Sequence, residues 1–68
     1  MPAKVHEIIR LLSADGWRQI AMRGSHRQFK HPIKPGKVTV AGKRAGDLHE
    51  KTVNSILKQA GLTRKDLR

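Results

Sequence analysis

The chain has 68 residues, 15 Lys or Arg against 5 Asp or Glu, a formal net charge of +10, and no cysteine. That length predicts one domain over residues 1–68 with a single thin core; the missing thiols exclude a disulfide framework and a thiolate metal site, and a longest apolar run of three residues, Ile20-Ala21-Met22, excludes a hydrophobic membrane span. With no apolar h-region to mark a secretory signal, a cytoplasmic protein is the expectation, and the surplus charge calls for a polyanion or an acidic protein as partner, with no role for a membrane.

The first helix is expected from about Ala3 to Ala14, where Val5, Ile8, Ile9 and Leu12 recur at i, i+3, i+4, i+7 and Gly16 supplies the stop. The period then shortens. Trp17 to Met22, His26 to His31 and Lys37 to Val40 read as three short strands, separated by Gly24-Ser25 and by Pro32, Pro35 and Gly36. Ala41 to Gly46, with two glycines and Lys43-Arg44, reads as a mobile basic loop. A second helix, about Asp47 to Ala60, repeats the apolar spacing with Val53, Ile56, Leu57 and Ala60; Asp47 and Glu50 resemble a capping pair and Gly61 ends it. Thr63 to Asp66 offers a second capping pattern for a terminal turn. The fold class is therefore α+β in the order α-β-β-β-α: a three-stranded antiparallel sheet with two helices packed on one face.

Alternation along the strands assigns sides. Phe29 in the second strand and Val38 and Val40 in the third point to the core. His26, Gln28 and Lys30 then share the open face with Lys37 and Thr39, while Arg27 and His31 fall on the Phe29 side. Ile20 and Met22 are expected inward, and Trp17 is expected in the core, where tryptophan most often lies.

Between Gly16 and Gly46 there are eight basic residues and no acid. A histidine in such a field suits chemistry on a polyanion that carries its own nucleophile, and RNA with its 2′-hydroxyl is one. Cleavage by that hydroxyl needs a base for its proton, an acid for the leaving 5′-oxygen, and cations for the phosphorane. Histidine is the side chain suited to either proton transfer near neutrality. His26 is the catalytic candidate. Arg23, Ser25, Gln28, Lys30, Lys37, Lys43 and Arg44 are the RNA-binding candidates. No carboxylate is expected on the open face to hold a metal ion, and four histidines without cysteine give no zinc pattern, so no metal or other cofactor is expected. The plainer reading of His26 is an ordinary solvated residue; the plainer readings of His31, His49 and His6 are a turn residue, a structural or phosphate-contacting residue, and a half-buried one.

The motifs Asp15-Gly16-Trp17, Arg23-Gly24-Ser25-His26 with Phe29 to Pro32, Val38-Thr39-Val40, Gly46-Asp47-Leu48 and Ser55 to Leu62 together cover nearly the whole chain. In these the sequence resembles the HicA toxin family of mRNA interferases. The resemblance implies a fold like a double-stranded-RNA-binding domain, metal-independent cleavage of mRNA with the catalytic histidine at His26, and a HicB-type antitoxin as partner in a toxin–antitoxin hetero-oligomer. Many relatives carry a proline and a histidine after the third strand, where this chain has Ala41-Gly42, so the second proton-transfer group is open among His31, a lysine and water. The alternative function is a non-catalytic RNA-binding module of the same topology. Against it, Asp47-Leu48-His49-Glu50-Lys51 puts two acids where a duplex-RNA binder favours bases.

Overall fold

The computed structural model describes residues 3–67. The elements in chain order are β1 (Ala3–Lys4), α1 (Val5–Ala14), β2 (Arg18–Arg23), β3 (His26–Lys30), β4 (Lys37–Ala41), β5 (Asp47–Leu48) and α2 (Glu50–Ala60), followed by a 3-10 turn at Arg64–Leu67. β2, β3 and β4 form an antiparallel meander, and β1 pairs with β5 in a separate two-stranded ladder. The α-β-β-β-α order holds, with these two short strands added at the helix starts.

Both helices cover one face of the meander. Val5, Ile8 and Leu12 of α1 and Val53, Ile56, Leu57 and Ala60 of α2 are buried with Phe29, Val38, Val40, Leu48 and Trp17 in one cluster. Each helix therefore owes its place to its apolar stripe. The stripes are as expected, but the helices begin at Val5 and Glu50, later than the expected starts at Ala3 and Asp47. Ala3 pairs with Leu48 and Lys4 with Asp47, so each segment meets a ladder partner before its helix can start. The Glu7 carboxylate accepts from the Lys4 N–H at 2.9 Å, satisfying one free donor at the start of α1. At α2 the cap is His49, whose Nδ1 accepts from the Lys51 N–H at 3.2 Å. The expected Asp47–Glu50 capping pair does not form, because Asp47 is in β5 and binds Lys4 instead.

Two further corrections concern β2. Its register with β3 slips between Gln19 and Ala21, leaving Ile20 as an extra residue, a β-bulge. In addition β2 is an edge strand, and the helices lie over β4. Ile20 and Met22, expected in the core, are 51% and 52% exposed. Trp17 precedes the strand and is buried as expected. The loop after β4 is also tied down. The carbonyl groups of Gly46 and Arg44 accept from the N–H groups of Val5 and His6 at 2.9 and 3.0 Å, and Gly46 N–H donates to Lys43 O. The first turn of α1 thus uses this loop to satisfy its free donors.

Candidate functional site

Cross-strand partners share a face, so the register defines the open side of the sheet as three rungs. Arg18, Lys30 and Lys37 form the first, Ala21, Gln28 and Thr39 the second, and Arg23, His26 and Ala41 the third. Successive rungs are two residues apart along β3, about 7 Å. Cations therefore occupy both ends of the face, with a neutral rung between them. All of these side chains are exposed except Gln28 and Ala41, which are partly covered. Among the described residues none of them takes part in a side-chain hydrogen bond.

The bulge builds this arrangement. Gln19 lies opposite Phe29, on the helix side, and strict alternation would send Ala21 and Arg23 to that side as well. One extra residue at Ile20 reverses the phase, so Arg23 lies opposite His26 on the open face. The turn before His26 is closed by Gly24 at φ +56, which a side chain would strain. Ser25, exposed beside it, accepts from the Gly42 N–H through its carbonyl at 3.1 Å. Arg27, only 7% exposed and pointing to the helix side, donates from Nη1 to the Gly42 carbonyl at 2.7 Å. The N–H and the carbonyl of Gly42 are thus held by Ser25 and Arg27, on either side of His26, which places the loop carrying exposed Lys43 and Arg44 next to the His26 rung.

The other histidines are engaged elsewhere. His31 Nδ1 accepts the N–H groups of Ile33 and Lys34, both at 3.0 Å, so its proton sits on Nε2, which donates to the Asp15 carbonyl at 2.8 Å. Its ring also meets Trp17 edge-on at 5.3 Å. Gly16, at φ +103, leaves room for this contact: a Cβ there would lie 2.8 Å from His31 Nε2. His49 caps α2, and His6 is half-buried in α1. His31, a candidate for the second proton transfer, is thereby committed to the fold on the side away from His26.

All five acids also have structural partners. Asp15 accepts from Lys34 Nζ and Trp17 Nε1, Asp47 from Lys4 Nζ, Glu50 from Arg64 Nη2, Glu7 from Lys4 N and Asp66 from Thr63. The Lys34 hydrogen bond holds the Asp15 carboxyl below its ordinary range; burial opposes this, and the Lys34 charge, the Trp17 N–H and His31 add to the lowering. No three His, Asp or Glu side chains come together as metal ligands among the described residues. Thr39, outward by alternation but not singled out as a binding residue, is the neighbour of Gln28.

A carboxylate-free cationic face around one uncommitted histidine belongs to a protein that meets a polyanion or an acidic partner. The family profile that matches residues 5–62 describes the toxin component of a pair, "HicA toxin of bacterial toxin-antitoxin". The chain belongs to the HicA toxin family, and that membership implies an antitoxin partner. Comparison with curated proteins gives no match. No helix among the described residues is long and apolar enough to cross a membrane.

Proposed function

We propose that this toxin is a metal-independent endoribonuclease acting on mRNA in the cytoplasm, with His26 as its proton-transfer group, and that a HicB-type antitoxin neutralises it in a hetero-oligomer. The observation that carries this reading is the placement of His26: it stands with no hydrogen-bond partner among the described residues, on a face with cations at both ends, while His31 and His49 are held by the fold. The 2′-hydroxyl of the RNA gives its proton to His26 as the 2′-oxygen bonds to phosphorus. The bond to the 5′-oxygen breaks, and that oxygen takes a proton from water or a lysine of the same face. Products are a 2′,3′-cyclic phosphate and a free 5′-hydroxyl. Arg23, directly opposite His26, stabilises the charge gained by the phosphorane. Lys30 and Lys37 hold a neighbouring phosphate, Gln28 meets a base on the neutral rung, and Ser25, Lys43 and Arg44 contact the backbone beyond His26. The absence of carboxylates from this face supports independence from metal ions.

A purely RNA-binding role is disfavoured by the start of α2, where Asp47 and Glu50 put negative charge beside Lys4 and Arg64. Incubation of the purified protein with labelled single-stranded RNA in excess EDTA, beside folded His26→Ala protein, tests the assignment. Cleavage by the wild type alone is expected. Equal cleavage by both proteins refutes the role of His26, and RNA binding without cleavage by either favours the binding module.

A further inference from the structure

The open face does not end at β4. Around that edge strand lies a shallow groove of about 450 Å3, lined by Lys37 and Thr39 from the sheet and by Lys51, Thr52, Ser55 and Gln59 from α2. Its floor is Ile56, a core residue. Lys37 and Thr39 belong to the groove and to two of the three rungs, so the two surfaces are continuous. Two ammonium groups, three hydroxyls and one amide line it, and no carboxylate does. The acid on α2, Glu50, lies on the opposite side of the helix from the groove residues at 3.6 residues per turn, with Asn54, and both bind Arg64 there.

We propose that this groove is a second RNA-binding site, which takes the nucleotides flanking the scissile bond as the strand leaves the sheet over β4. The inference rests on the nuclease reading and extends its substrate from a few nucleotides on the sheet to a longer single strand. Ammonium and hydroxyl donors with no acid among them fit phosphate oxygens and ribose hydroxyls. The same donors carry no base-specific pattern, so the groove adds affinity and register without sequence preference. None of its side chains is engaged in a hydrogen bond among the described residues, so contact with RNA breaks nothing in the fold.

The test measures RNA binding in the His26→Ala background, where the strand stays intact. Labelled single strands of about 4 and about 16 nucleotides, the range of site sizes used by single-strand binders, are titrated at several salt concentrations. Lys51→Ala and Lys51→Ala/Ser55→Ala are expected to weaken binding of the long strand several-fold and leave the short one unchanged. The slope of log affinity against log salt becomes shallower by about 0.7 for the lost lysine contact. Lys65→Ala, which removes the same charge from the terminal turn, is the control and leaves both strands unaffected. Lys51→Gln, which keeps the stem and removes the charge, reproduces the loss without disturbing α2. Unchanged binding of the long strand, equal losses on both strands, or an equal effect of Lys65→Ala overturns the groove as an RNA site. Loss of antitoxin binding with RNA binding intact also overturns it and assigns the groove to the protein partner. If the parent binds neither strand, the nuclease reading itself fails and this inference falls with it.

Discussion

His26 and His31 lie five positions apart and have opposite surroundings. His31 has both ring nitrogens in hydrogen bonds and its ring in edge-on contact with Trp17, while His26 has neither. The Asp15 cluster makes the difference, since it joins the end of α1, the turn after β3 and, through Lys34 and the Ala60 carbonyl, the end of α2. Asp15→Asn is expected to lower stability at pH 7 by about 1 kcal/mol, the size of a part-exposed charged hydrogen bond. The pH dependence has a definite sign. A carboxyl whose folded pKa is lowered contributes stability above its unfolded value, near 3.9, and loses it as pH falls through the folded value. The wild type therefore loses more stability than Asp15→Asn as pH drops below about 4, which urea melts at a series of acid pH values measure. At this scale sequence placed His26 correctly through strand alternation from Phe29. It could not show that His31 was unavailable, because its partners come from α1 and from a local turn whose backbone geometry no spacing reveals.

At the scale of elements, the bulge in β2 takes up one residue and so lets Arg23 pair with His26. The two helix stripes, the three strands and the inward set Phe29, Val38 and Val40 were legible because each depends on a period within one segment. The bulge was not, since Ile20 looks like an ordinary strand residue and the extra position exists only relative to β3. The two-residue strands β1 and β5 were equally hidden, because their pairing joins distant parts of the chain. Histidine is also an uncommon helix cap, so Asp47 took that place in the sequence reading. Deletion of Ile20 is expected to straighten β2 and leave Arg23 opposite His26, because the pairs on either side of the slip then follow one another in regular register. RNA cleavage should then be retained, while Arg23→Ala lowers it, with the circular dichroism spectrum and the buried Trp17 fluorescence unchanged in both. Full activity in Arg23→Ala would show that Arg23 is not needed opposite His26.

At the scale of the molecule, tying every acid into the fold leaves the charge of the open face unopposed. The molecule is a thin two-layer slab of 30 × 29 × 17 Å, with the helices on one side and the cationic rungs on the other. Its reach toward a polyanion is screened by salt, with a Debye length of about 8 Å at physiological ionic strength. If Arg18, Arg23 and the Lys30–Lys37 pair each hold one phosphate of a short single strand, the affinity of the His26→Ala protein should fall with a log–log salt slope of about −2, three contacts at about 0.7 each. A slope near zero in a fluorescence titration would mean that the face does not bind through phosphates. Charge and size pointed to an anionic partner from composition alone. Which face carries the charge depended on knowing where the two helices pack.

The β1–β5 ladder has a consequence for motion. The meander forms from neighbouring hairpins, but Ala3 must meet Leu48 across most of the chain, a closure that is slow to form, and a ladder of only two residue pairs has little to resist local opening. The same ladder sits beside the Lys43–Gly46 segment, whose carbonyls receive the Val5 and His6 amides. In native-state hydrogen exchange those two amides should open together, at lower free energy than the amides of β3. Each such opening would release Lys43 and Arg44 while the sheet stays folded. The basic loop would then behave as a latched arm, with its reach toward an anionic partner set by how often the latch lets go.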